Sequence, residues 1–225
     1  MNGIWILFFL ILISALPVIL LYIWLRVRRY HFSPLWFAGA LLAGVISLFL
    51  ALFIQSLIPR PALYAPDSRW VLVREVFFRI AFTEELSRLL VLFVFFLAAR
   101  RIGRGAGAED EAYGSLTGLL AGLGFVLIES ASYGSADAGI ALIRAFTSAP
   151  LHGACGARVG KAALNLTDAP LRAITGFLSA AAIHGTYNLM ILMPGFSPVL
   201  AILIALSAFA STVLTIRGKI AGDGR

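Results

Sequence analysis

Seven stretches of the chain stay apolar for about the length of a bilayer crossing, and charged residues gather between them. The first runs from about Ile4 to Leu25 and is followed by Arg26, Arg28 and Arg29. No basic residue precedes it, which is the reverse of the charge order in a cleaved signal peptide, so it reads as a retained span with its N-terminus outside. The second runs from about Leu35 to Leu57 and ends at Pro59 and Pro61. Asp67 or Ser68 is placed to cap a third helix reaching about Arg101. That helix would be roughly 50 Å long, more than a bilayer core needs, so its first turns with Arg69, Trp70, Arg74 and Glu75 are expected outside or in the interface. A polar loop with Glu109, Asp110 and Glu111 follows. The fourth span is predicted over about Ser115–Tyr133 and the fifth over about Ile140–Leu164, interrupted by Pro150. The sixth covers about Leu171–Met193 and the seventh about Pro198–Ile216.

The pattern predicts an all-α, polytopic bundle of about seven membrane spans, oriented N-out/C-in. It forms a single integral membrane domain over residues 1–225. On that topology twelve cationic side chains lie inside: Arg26, Arg28, Arg29, Arg100, Arg101, Arg104, Arg158, Lys161, Arg172, Arg217, Lys219 and Arg225. Six lie on or toward the outside: Arg60, Arg69, Arg74, Arg79, Arg88 and Arg144. This asymmetry follows the positive-inside rule.

Composition agrees. Of 225 residues, 60% are hydrophobic and only 13% charged, against roughly half and a quarter in a soluble domain. The net charge of +7 comes in short runs beside apolar stretches, facing lipid headgroups, and not as the basic face with interleaved aromatics of a nucleic-acid binder. The single cysteine, Cys155, excludes an internal disulfide and reads as a small buried apolar residue. His31, next to an arginine run, reads as an interfacial bystander.

A charge at the centre of a membrane helix costs roughly 2.5–3.5 kcal/mol on insertion scales, so charged and polar residues inside the spans carry information. They are Glu84, Glu85 and Arg88 in span three, Glu129 in span four, His152 in span five, and His184 and Asn188 in span six. On the predicted topology the glutamates and histidines lie roughly 5–15 Å below the outer surface. Gly176, Ala180, His184 and Asn188 recur every four residues on one helix face; so do His152, Gly156 and Gly160, and Gly114, Gly118 and Gly122. Small residues at this spacing let membrane helices pack closely, which places the polar groups on packed faces. Each has a plain structural role available: Glu84 and Arg88 as an (i, i+4) ion pair, Glu129 reaching headgroups, Asn188 as interhelical glue, the glycines as packing surface. The shared depth of five ionisable groups favours a site.

Two histidines and up to three glutamates around one cavity suit hydrolysis of an amide bond. A glutamate takes the proton from water, a histidine holds that water or donates to the leaving amine, and a histidine with an amide nearby stabilises the oxyanion. Alternatively Zn²⁺ held by Glu129, His152 and His184 would activate the water; no HExxH motif is present.

Glu84-Glu85-Leu86-Ser87-Arg88 resembles the EExxK/R motif of the PrsW family of intramembrane proteases. Gly124-Phe125-Val126-Leu127-Ile128-Glu129-Ser130 resembles its FxxxE motif, with Ser130 where Asn is usual. Arg144 with Pro150-Leu151-His152-Gly153 resembles its third motif, and His184-Gly185-Thr186-Tyr187-Asn188 its HxxxN/D element. The four stand in family order over about residues 67–193. The family is grouped with the type II CAAX prenyl endopeptidases and the bacteriocin-processing membrane proteases. The resemblance implies an endopeptidase acting on membrane-embedded or membrane-proximal proteins, such as a single-span anti-sigma factor, in a bacterial cytoplasmic membrane. It implies Glu84 as the water-activating base with Glu85 beside it, Glu129 and His152 positioning water or metal, and His184 with Asn188 at the oxyanion. Both a glutamic mechanism without cofactor and a zinc mechanism stay open. Alternatives from other classes are a proton- or ion-coupled transporter, disfavoured because no partner for the broken fifth span appears in the first half, and a non-catalytic scaffold of the same fold.

Overall fold

A computed structural model describes residues 3–28, 30, 32–59, 69–101, 111–133 and 138–222. His31, Asp67, Ser68, Arg104, Glu109 and Asp110, on which several expectations fall, lie outside the described residues. Among the described residues every regular element is helical: α1 (Gly3–Ser14), α2 (Leu16–Val27), α3 (Pro34–Leu57), α4 (Arg69–Arg74), a π-helical segment (Glu75–Phe82), α5 (Thr83–Arg101), α6 (Glu111–Tyr133), α7 (Ala138–Phe146), α8 (Ser148–Leu164), α9 (Pro170–Leu192) and α10 (Pro198–Gly222).

Among the described residues three helices are long and apolar enough to cross a membrane: α3, α6 and α10. The pair α1/α2 makes a fourth if taken as one broken span, bent by 44°. The expected first span is therefore two helices, because Pro17 opens α2 and cannot donate its backbone nitrogen to the turn before it. The other three expected crossings are too polar or too short by themselves. α5 carries Glu84, Glu85 and Arg88, α9 carries His184 and Asn188, and α8 is only 17 residues long. The expected break in span five also shifts. It falls at Thr147, and Pro150 sits in the first turn of α8, where its missing N–H costs nothing.

The helix that looks like a crossing by composition is not always at the edge. α6 is 83% buried over its apolar window, against 33% for α3 and 28% for α10. α6 pairs with α8 at the centre, flanked by α3 on one side and by α9 and α10 on the other, while α5 packs against α3 and α8. Close approach of α6 and α8 rests on facing glycines. A Cβ on Gly118 would lie 2.0 Å from the Gly156 carbonyl oxygen, and one on Gly122 would lie 2.0 Å from that of His152. The glycine ladders are thus packing surface, and this contact sets His152 against α6. Outer faces of the peripheral helices expose Leu42, Ile46, Phe49 and Phe53 on α3 and Leu200, Leu203 and Leu206 on α10, as a lipid-facing surface requires.

Candidate functional site

Five helices deliver the polar side chains to one place. α5 begins at Thr83 directly after the π-helical segment, a wider turn that re-phases the following helix face; such bulges are frequent at functional sites. Glu84, Glu85 and Arg88 follow within its first two turns, and all three are buried. Glu129 comes from the C-terminal part of α6, His152 from the first turns of α8, His184 from α9 and Arg144 from α7.

Arg88 is fully buried and forms its ion pair with Glu85, three residues back, and not with Glu84 as the (i, i+4) spacing suggested. Its guanidinium lies 4.7 Å from the centroid of the Phe125 ring and offers Nη2 to His152 Nδ1 at 3.3 Å. The second carboxylate oxygen of Glu85 accepts from His184 Nδ1 at 2.8 Å. Glu85, expected to play a minor part beside Glu84, is thus the hub that fixes both Arg88 and His184. Phe125 also stacks on the His152 ring, with centroids 5.1 Å apart and planes 19° from parallel. This explains the aromatic residue one turn before Glu129 in chemical terms: it is the floor under a histidine and an arginine.

Glu129 does not reach outward. Its Oε2 accepts from Arg144 Nη2 at 2.5 Å and lies 3.3 Å from His152 Nε2. Arg144 also donates Nε to Ser130 Oγ at 3.2 Å, so the serine in the usual asparagine position keeps a role in this pair.

A count of partners separates the three glutamates. Glu85 has Arg88 and Glu129 has Arg144, while Glu84 has no cationic arginine or lysine partner among the described residues. Glu84 Oε1 accepts from the Gln55 amide at 3.4 Å. Its Oε2 is buried without a hydrogen bond among the described residues and faces His184 Nε2 at 3.7 Å. With Glu85 held at Nδ1, His184 turns its Nε2 toward Glu84. The two imidazoles meet edge to face, 4.8 Å between centroids.

The structure therefore brings together Glu84, Glu85, Glu129, His152 and His184. Asn188 lies one turn beyond His184 on α9, half-buried, and forms no hydrogen bond among the described residues. The donor set expected for a metal changes by one member: Glu84, His152 and His184 each offer a ligand atom within 4.8 Å of the others. Glu129 is drawn aside by Arg144. Gln55, Thr83 and Arg144's grip on Glu129 were missed from sequence. The one available signal was a lone amide near the end of an otherwise apolar run.

Residues 33–215 match the family model described as PrsW family intramembrane metalloprotease, which spans all four motifs. No curated protein and no solved structure matches the chain.

Proposed function

The chain belongs to the PrsW family of intramembrane proteases, and from that premise we propose that it cleaves a peptide bond of a membrane-embedded or membrane-proximal protein with Glu84 as the base. The observation that carries this reading is the pairing count. Among the described residues Glu84 is the one site carboxylate held by no arginine, and its free oxygen faces the Nε2 of His184 inside a buried cluster. A carboxylate locked to a guanidinium is a poor proton acceptor; one held by a neutral amide is available.

Glu84 Oε2 and His184 Nε2 face the same space, 3.7 Å apart. Glu84 takes a proton from water as its oxygen attacks the scissile carbonyl, and His184, held through Nδ1 by Glu85, stands beside the oxyanion that forms. That proton then passes to the leaving amine. The Asn188 side-chain amide, one helical turn away, supplies the oxyanion contact. His152 is committed at both nitrogens, accepting from Arg88 and donating to Glu129, so it joins the two ion pairs into one frame.

A metal ion fits the donor set in kind. Two histidines and a glutamate make up several catalytic zinc sites, Glu84 Oε2 lacks another partner, and Glu85 on the far nitrogen of His184 is the carboxylate that orients a ligating imidazole. Zinc held by Glu84, His152 and His184 would act as a Lewis acid on the scissile carbonyl. One contact opposes it: ligation through His152 Nε2 moves the ring proton to Nδ1, against the Arg88 donor at 3.3 Å. That contact favours the glutamic mechanism.

The finer topology belongs to the same reading: seven spans, N-out/C-in, in one membrane domain, with the cluster toward the outer leaflet. It is supported by the apolar segments and the distribution of arginines. A single-span anti-sigma factor in a bacterial cytoplasmic membrane is the proposed substrate type. The test compares the membrane proteomes of cells expressing the wild type and Glu84→Gln by mapping protein N-termini. New N-termini in or beside a membrane helix, present only with the wild type, are expected. Identical maps, with both proteins inserted at equal levels, sink the reading.

A further inference from the structure

α3 ends beside the base, and Gln55 in its last turn reaches it. The two amide hydrogens of Gln55 are both used: one bonds Thr83 Oγ1 at 3.1 Å, the other Glu84 Oε1 at 3.4 Å. Thr83 has one hydroxyl proton, which goes back to the Arg79 carbonyl at 2.5 Å, so its oxygen is left to accept from Gln55. The direction of the chain is thereby fixed: Gln55 donates, and it has no freedom to turn its carbonyl oxygen toward Glu84. Gln55 is itself held by its backbone. Its carbonyl, in the last turn of α3, accepts from the Ile58 N–H at 3.3 Å and from Arg79 Nη2 at 3.3 Å, and Arg79 is paired with Glu75 at 2.5 Å. Both residues of that pair are buried in the π-helical segment.

We infer that Gln55 is the positioning residue of the catalytic glutamate: it binds one carboxylate oxygen of Glu84 and so turns the other toward His184. This rests on the assignment of Glu84 as the base. A carboxylate has two equivalent oxygens and a soft terminal torsion. Glu85 and Glu129 are oriented by bidentate-capable arginines; Glu84 is oriented by an amide, which fixes direction without supplying a positive charge that would quench basicity. The π-helical segment has a role here too, since it carries both Arg79, which anchors the Gln55 backbone, and the carbonyl that orders Thr83. Gln55 lies on α3, outside all four sequence motifs.

Glu84 reactivity can be read without a substrate. The purified full chain in detergent is treated with dicyclohexylcarbodiimide, an apolar reagent for protonated carboxyl groups, and the adduct at Glu84 is followed by peptide mass spectrometry. Loss of one hydrogen bond to the charged carboxylate is expected to raise the adduct rate about three- to tenfold in Gln55→Met, which keeps the side-chain length. Gln55→Asn, which keeps the amide and shortens its reach, should behave alike. Thr83→Val, which loses the other bond of the same amide, should stay within about twofold of the wild type. With a substrate in hand, Gln55→Met should lower kcat by about ten- to a hundredfold and leave KM unchanged. Equal adduct rates in the wild type and both Gln55 variants, zero in all included, overturn the inference. So does a rise shared with Thr83→Val in step with a lowered unfolding temperature, which would mark mere loosening of α3. Cleavage surviving in Glu84→Gln would instead sink the function reading, a result the adduct rates do not depend on.

Discussion

Removing Arg88 tests the architecture of the cluster most severely. Its side chain is wholly buried, as is that of Glu85, and it holds three things at once: the Glu85 carboxylate, the Nδ1 of His152 and the face of Phe125. Arg88→Met keeps most of the volume and leaves Glu85 charged with no cation beside it. Breaking a buried pair on one side costs about 3–5 kcal/mol, and loss of the guanidinium over an aromatic face adds about 0.5–2 kcal/mol. For a chain of this size that lowers the unfolding midpoint by on the order of 10 °C. The molecule contains its own reporter, because Cys155 is the single cysteine and is fully buried. A fluorogenic maleimide will label it only as the helices part. In the double variant Glu85→Gln/Arg88→Met the stranded charge is gone while the amide oxygen introduced at position 85 still accepts from His184. It should regain at least about 2 kcal/mol of the loss, giving a measurable coupling energy, yet stay inactive. An Arg88→Met protein as stable as the wild type, or strict additivity in the double variant, would refute the pairing described for Glu85.

Other expectations follow from the same geometry. Gly118→Leu forces α6 from α8, because even a Cβ would lie 2.0 Å from a backbone oxygen; early labelling of Cys155 on heating is the readout. Arg144→Met should release Glu129 and lower cleavage about ten- to a hundredfold, and Arg144→Lys should recover only part of it, since a single ammonium cannot engage Glu129 and Ser130 as the guanidinium does. His152→Ala should abolish cleavage and lower stability together, whereas His184→Ala should abolish cleavage with the smaller stability loss, a contrast read by activity and Cys155 labelling side by side. A fluorescent protein fused to the C-terminus should be bright and a periplasmic phosphatase there inactive; the opposite pattern removes the N-out/C-in orientation.

The helical class was readable from apolar run lengths alone, and the glycine ladders marked closely packed helix faces, two of which meet in the α6–α8 contact. The bend at Pro17 was written in the sequence and was passed over, since an uninterrupted apolar run hides a helix break. The cluster itself was legible as residue types at shared positions on helix faces. Which acid pairs with which base was not. Glu84 and Glu85 stand about 100° apart on one helix, and both the (i, i+3) and (i, i+4) spacings to Arg88 are sterically equivalent. What decides is the helix phase set by the π-helical segment and the positions of α6, α8 and α9 around it, none of which is encoded locally. Gln55 was invisible for the same reason: its partner lies 29 residues away on another helix.

The most direct measurement is cleavage in liposomes. The purified chain, reconstituted with a substrate found by N-terminal mapping, is assayed as the wild type, as Glu84→Gln, and as the wild type after treatment with a zinc chelator. The account predicts that cleavage persists with the chelator and is lost in Glu84→Gln. Cleavage that stops with the chelator and returns with zinc would contradict the glutamic mechanism. Cleavage that survives in Glu84→Gln would contradict the central claim itself.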